Sequence, residues 1–215
     1  MFGPLFKIFA SLLFLAGTVY HVFSPYHFFT PVETAIPEKY AFPFAEEHPI
    51  ERPPLQEDLP GPRQSYSFDR FSFEPVAAFH VRARVLGKRA YRWDRMSAYC
   101  PVDLALGWGP MSLPKIIDQF SIRQSNRFYF WSTREFPIPR SAVESNSANM
   151  HLVPANREVA QALFFVREDD IVDFTGYLIN ITRDDGHRWN TSTTRHDTGG
   201  GACEIVLVTR LQRNP

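Results

Sequence analysis

The 215 residues suit one domain plus appendages. A hydrophobic content of 44% and an aromatic content of 15% can fill a core, and a formal net charge of zero excludes a whole-molecule field that would gather nucleic acid or an anionic surface. Residues 1–75 hold 5 Lys/Arg against 9 Asp/Glu and residues 76–215 hold 18 against 14, a polarity of −4 to +4 that is too mild for a DNA-binding face, so no nucleic-acid partner is expected.

Residues 1–24 read MFGPLFKIFASLLFLAGTVYHVFS, with Lys7 the one Lys, Arg, Asp or Glu among them. The run from Ile8 to Phe23 is almost wholly apolar and, as a helix, spans about 24 Å. Phe2, Leu5 and Phe6 extend it toward the ~30 Å of a bilayer core. Small residues for signal cleavage are poorly placed at Ala16, Gly17 and Thr18, and bulky Tyr20 to Phe23 follow. The expectation is a single-pass signal-anchor, an uncleaved transmembrane helix that makes the membrane a partner through residues 1–24. Positive charge precedes the segment, while Glu33, Glu38, Glu46 and Glu47 follow it against Lys39. The positive-inside rule therefore puts the rest of the chain on the extracytoplasmic, periplasmic side.

Residues 25–69 read as a proline-rich spacer, with prolines at 25, 31, 37, 43, 49, 53, 54, 60 and 62. Proline fixes φ and removes a donor, which excludes a helix or a central strand. The aromatics Phe28, Phe29, Tyr40, Phe42 and Phe44 are many for a free linker, and docking on the adjacent domain is their expected role.

Residues 70–215 carry the globular domain. Phe79 to Leu86 alternates like a strand, Gly87-Lys88 suggests a turn, and Arg89 to Trp93 reads as a return strand. Pro101 and Asp103 at the head of PVDLALGWGPMS predict a short helix ended by Gly107 and Gly109. Leu113 to Phe120 looks like a second helical piece, Arg127 to Trp131 a strand, and Arg140 to Ser145 one helical turn. Asn156 to Arg167 has the clearest helical period, in Val159, Leu163 and Val166. Residues 171–182 form a strand whose central Gly176 signals a bulge or tight bend. Arg183 to Gly186 is a hairpin turn, and Cys203 to Thr209 is an interior strand. Five or six strands with one good helix before the final pair predict an α+β, mostly β domain. The expected form is a small OB-like Greek-key barrel, with an open α+β sandwich as the alternative.

Three segments, DLALGWGPMS at 103–112, SANMHLVPA at 147–155 and STTRHDTGGGACE at 192–204, recur in that order in an uncharacterised bacterial family with an N-terminal membrane segment, which the chain resembles over about residues 80–215. The resemblance implies the envelope localisation and the domain limits, and brings no reaction, substrate or cofactor. The family pattern has a cysteine at Cys203 and none at Cys100, so it does not imply a disulfide between them.

His151 can be read as a general base with Ser147 or Asn149 beside it, because its ordinary pKa lies near neutrality. It can also be a packed strand residue with one hydrogen bond, followed by Asn156 as a helix cap. Asp197-Thr-Gly199 has the letters of an aspartic-protease triplet, but polar Thr193 to His196 precede it where that site needs an apolar strand. Gly199 to Gly201 precede no helix, so a nucleotide loop is disfavoured. Cys203, His151 and Asp197 together offer a nucleophile, a base and an orienting carboxylate. A Cys100–Cys203 disulfide is the other use of the thiols in an oxidising compartment. His187, His196, Asp197 and Cys203 have no tight zinc spacing, so no metal ligands and no cofactor are assigned. Trp108, Trp189, Arg195 and Arg127 can line the open face of a small barrel and hold an anionic or sugar-like ligand. Two functions follow: a non-enzymatic, membrane-tethered domain that binds an envelope protein partner or small ligand, or a hydrolase using His151 with Asp197 or Cys203.

Overall fold

A computed structural model describes residues 48–194 and 202–214. The fold is mostly β, 48% strand against 14% helix, which decides for the β-rich expectation, and five strands close into a ring. No helix among the described residues is long and apolar enough to cross a membrane; the segment 1–24 lies outside them.

The described residues form ten strands: β1 (Leu55–Asp58), β2 (Tyr66–Phe68), β3 (Phe71–Ala90), β4 (Val102–Gly107), β5 (Ser121–Ser125), β6 (Phe128–Ser132), β7 (Ser147–Pro154), β8 (Ile171–Arg183), β9 (Arg188–Trp189) and β10 (Glu204–Asn214). The helices are α1 (Pro114–Ile117), α2 (Arg140–Ser145) and α3 (Arg157–Phe165), with a 3₁₀ turn at Gly109–Ser112. The ring runs β3, β4, β7, β10, β8 and back to β3. Every pairing in it is antiparallel except β7 with β10.

β3 is long enough to serve two neighbours. Residues 71–84 pair with β8 and residues 84–90 with β4, and register shifts at Pro75/Ala77 and Val85/Gly87 interrupt the two ladders. Such bulges bend a strand and increase its twist. The sequence expectation of a turn at Gly87-Lys88 and a return strand at 89–93 is therefore corrected: Leu86 bulges out of the ladder, Gly87 pairs with Ala105, and the strand continues to Ala90. The spacer also ends earlier than residue 70. β1 pairs with β3 from Leu55 opposite His80 to Asp58 opposite Ala77, and β2 pairs with its start. The prolines at 53, 54, 60 and 62 flank β1 rather than interrupt it.

The interior of the ring is apolar, with Phe79, Val81, Leu104, Leu106, Met150, Leu152, Phe174 and Leu178 fully buried together. Each such side chain contributes about 1.5–3 kcal/mol on burial. α3 packs Val159 and Leu163 on this core. Its first turn is closed by Asn156, whose side-chain oxygen accepts from the Val159 amide at 2.9 Å, as the sequence predicts. Its last carbonyls, on Leu163 and Phe164, accept from Lys88 Nζ at 2.7 and 2.8 Å, and the carbonyl of Val166 accepts at 2.8 Å.

The outside of the ring is covered as well. Tyr99, Cys100, Ile179, Ile205 and Leu207 form a second apolar cluster, and the insertion 109–146 buries Leu86, Ala105, Met111 and Val143 in a third. Consequently β4 is buried at all six positions. That overturns the predicted helix at the head of PVDLALGWGPMS: a strand buried on both faces shows no polar alternation, and its leading Pro101 and Asp103 imitate a helix start.

Candidate functional site

β4 and β7 pair so that Asp103 stands directly opposite His151. Both side chains are shut in, Asp103 fully and His151 at 2% exposure. Asp103 Oδ1 lies 2.9 Å from His151 Nδ1, an ion-pair distance whose alignment falls short of a hydrogen bond. Arg127 comes in from the turn between β5 and β6, where Asn126 and Arg127 both take positive φ, 52° and 68°. Its Nη1 donates to Asp103 Oδ1 and to the Cys100 carbonyl, both at 2.9 Å. Its Nε and Nη2 grip Asp94 at 2.9 and 2.8 Å, the two-pronged geometry that guanidinium favours. The guanidinium carbon sits 3.8 Å from the centre of the Tyr91 ring. On its other side His151 meets the Trp189 ring at 4.5 Å.

The electrostatics follow from this enclosure. Burial and then the Asp103 carboxylate push the Tyr91 hydroxyl up to about 12. Burial and then Asp103 raise the Cys100 thiol well above its ordinary value. Burial alone would raise Asp94, but its hydrogen bonds from Arg127 outweigh that and hold it below the usual range.

Beside this cluster lies a cleft of about 320 Å³. Trp108 lines it from the end of β4, Ser147 and Asn149 from β7, Phe128 to Trp131 from β6, Arg140 and Glu144 from α2, and Cys203 from the approach to β10. Its polar groups are mostly committed. The Tyr129 hydroxyl donates to Ser147 Oγ at 3.0 Å, Ser147 donates to the Val143 carbonyl at 2.8 Å, and Gln124 donates to Asn149 Oδ1 at 2.7 Å. Burial, opposed by the Ser147 bond, pushes the Tyr129 hydroxyl up to about 12. Arg140 pairs with Glu144 at 2.8 Å and lies 5.7 Å from the Trp131 ring centre. Trp108 stands apart: its indole N–H is buried with no acceptor among the described residues.

No protein-family model, curated protein or solved structure matches the chain.

The residues singled out from sequence divide in two. Trp108, Ser147, Asn149 and Cys203 come together in the cleft. His151 does not line it and belongs to the buried charge cluster, with Trp189 as its cover. Asp197 and Arg195 lie outside the described residues. The two cysteines are not joined in a disulfide. Asp103 was legible only as an acidic residue at the head of an expected helix and Asp94 not at all, because their pairing depends on where the turn at 126–127 delivers Arg127. The aromatic run at 127–131 was the available signal for the cleft wall; read as a strand, it gives alternating exposed and half-buried faces.

Proposed function

We propose that the protein is a membrane-tethered, extracytoplasmic binding domain, non-enzymatic, that holds a small ligand in the cleft between β7 and β6. The cleft carries this reading. It has the ~300 Å³ minimum of a ligand site, aromatic walls, a few fixed polar groups and one buried donor, on Trp108, without an acceptor. Its rim charges are paired with each other, Arg140 with Glu144. That favours a neutral, ring-shaped ligand with hydrogen-bonding edges, such as a sugar, over an anion.

The topology supports the finer reading of the ring as an OB-type barrel. In chain order the ring strands are β3, β4, β7, β8 and β10; the third pairs with the fifth in parallel, and α3 lies between the third and the fourth. OB folds bind along their second and third strands and the loops beside them, and the cleft draws on β7 and on residues 202–204 of the last long connection. The tether rests on the apolar segment 1–24 and the acidic residues after it. The family resemblance supports an envelope location, and an envelope protein partner is the other occupant this face would suit. The hydrolase alternative has less support, because His151 is enclosed by Asp103 and Trp189 while Cys203 lies in the cleft.

The test is a tryptophan-fluorescence titration of the full-length chain with neutral mono- and disaccharides. A saturable change is expected with at least one sugar, lost when the exposed rim residues Phe128 and Phe130 are both changed to Ala. No saturable change with any sugar, or one that the double variant retains, rules out this ligand class at the cleft.

A further inference from the structure

A second site lies in the buried cluster, independent of the cleft. We propose that Cys100, Asp103 and His151 bind a zinc ion. Their donor atoms, one sulfur, one carboxylate oxygen and one ring nitrogen, all lie within 4.8 Å of one another, and all three residues are buried. Zinc takes this donor mixture, with bonds of about 2.0–2.3 Å, and a closing movement of about 1 Å brings the three donors to three corners of a tetrahedron.

The fold builds the arrangement from two places. Asp103 and His151 are opposite partners in the β4–β7 ladder, and Cys100 is three residues before Asp103 where the chain enters β4. Two of the three residues have unmet polar atoms. Asp103 Oδ2 is buried with no hydrogen-bond partner among the described residues, and His151 Nδ1 has only the poorly aligned 2.9 Å contact with Asp103 Oδ1. Protein interiors rarely leave such atoms unsatisfied, and an unseen ion is one of the recognised reasons when they do.

In the metal-bound state the charges balance: Asp94, Asp103 and the Cys100 thiolate that coordination creates carry three negative charges, offset by Arg127 and a dication. Arg127 is placed as an outer-shell donor: its Nη1 is 2.9 Å from Asp103 Oδ1 and 3.6 Å from Cys100 Sγ. Hydrogen bonds of this kind orient metal ligands and tune them. Coordination breaks the Cys100 S–H bond, forms a Zn–S bond and releases the proton to solvent, with no change of oxidation state. Spacing did not reveal the site, because C-x-x-D followed by a histidine 48 residues later matches no common zinc pattern.

The experiment uses the full-length chain, stripped with chelator and kept reduced, and titrated with cobalt(II). The expected result is about one equivalent of bound cobalt, with thiolate-to-cobalt charge-transfer and tetrahedral ligand-field absorption that zinc bleaches. Cys203→Ser keeps these bands. Cys100→Ser loses the charge-transfer band and weakens binding by more than about tenfold, since even an altered outer-shell partner costs about 10–100-fold. No thiolate band in the wild type, a band that survives Cys100→Ser, or one that Cys203→Ser abolishes would each overturn the proposal. If Cys100→Ser does not fold, the wild-type spectrum and Cys203→Ser decide it alone.

Discussion

Asp103 and His151 face each other across the β4–β7 ladder, 2.9 Å apart and closed off from solvent by Arg127 on one side and Trp189 on the other. This relationship answers what the histidine of SANMHLVPA is for. Among the described residues its carboxylate partner is Asp103, which does not line the cleft. It stands in a buried charge network that ties two ring strands to the insertion between them.

That network predicts unequal costs for its two aspartates. The side chain of Asp103 is fully buried, while that of Asp94 is 35% exposed. Removing one member of a buried pair leaves a charge without its partner and costs about 3 kcal/mol or more. An exposed partner is worth about 1 kcal/mol or less. Urea unfolding in the presence of chelator, which keeps metal out of the comparison, should show Asp103→Asn losing about 3 kcal/mol and Asp94→Asn about 1 kcal/mol. Equal losses would mean that burial does not set the strength of the pairing.

Lys88 predicts a pH dependence. Burial pushes its ammonium down to about 8 from an ordinary 10.5. Below pH 8 the folded and unfolded chains are both protonated there, and the folded state bears the whole cost of the buried charge. Between about 8 and 10.5 the unfolded chain holds more protons, so stability rises with pH in that window and levels off above it. The comparison is with Lys88→Met, which cannot titrate at this position. From pH 8 to pH 10 the wild type should gain stability relative to the variant in urea melts. A flat or falling difference would show that the three carbonyls accepting from Nζ hold the ammonium fully charged in spite of burial.

The sequence was informative where one face of an element meets solvent or a cap is local. α3, its Asn156 cap and the turn at 183–186 lie close to where period and turn chemistry put them, while the strand at 171–183, buried on both faces from Val172 to Ile179, was legible by its length and β-branched residues. It misled where a short element is covered on both faces. Val102 to Gly107 is buried throughout, so nothing in its pattern separates a strand from a short helix. The cleft was half legible: Trp108, Ser147, Asn149 and Cys203 stood out by residue type, while Arg140 and Glu144 entered only through the fold of the insertion. Arg127 could be named from sequence but not its partners Asp94 and Asp103, 33 and 24 residues away.

Two glycines are required for different reasons, and the same substitution separates them. A Cβ on Gly176 would lie 2.0 Å from the Leu207 carbonyl oxygen, across the β8–β10 ladder next to the irregularity at Val208/Arg210. Backbone on both sides leaves little room to yield, and overpacking of this kind costs about 3 kcal/mol or more. Gly186 has open space around it but a φ of +82°, so alanine there costs about 1–2 kcal/mol in the left-handed region. Thermal melts of Gly176→Ala and Gly186→Ala should rank in that order. The reverse order would mean that the two backbones part easily at Gly176.

Trp108 gives the prediction that bears most directly on the cleft. Its ring is 1% exposed and belongs to the interior apolar cluster, yet its N–H lacks an acceptor among the described residues. A buried donor left unmatched costs about 1–3 kcal/mol, whereas an apolar replacement of similar shape can be neutral or stabilising. Phenylalanine removes the donor together with part of the ring, so the desolvation penalty it relieves and the small void it leaves oppose each other. Trp108→Phe should therefore melt within about 1 kcal/mol of wild type when no ligand is present. Were the indole N–H matched in the folded protein, the same change would cost the full bond and the full cavity, about 3 kcal/mol or more. A near-neutral melt, combined with weaker binding of the sugar in the fluorescence titration, would mean that the N–H is held in reserve for a ligand acceptor. A large loss of stability without ligand would mean that the donor already has its partner and that the cleft must recognise its occupant by other groups.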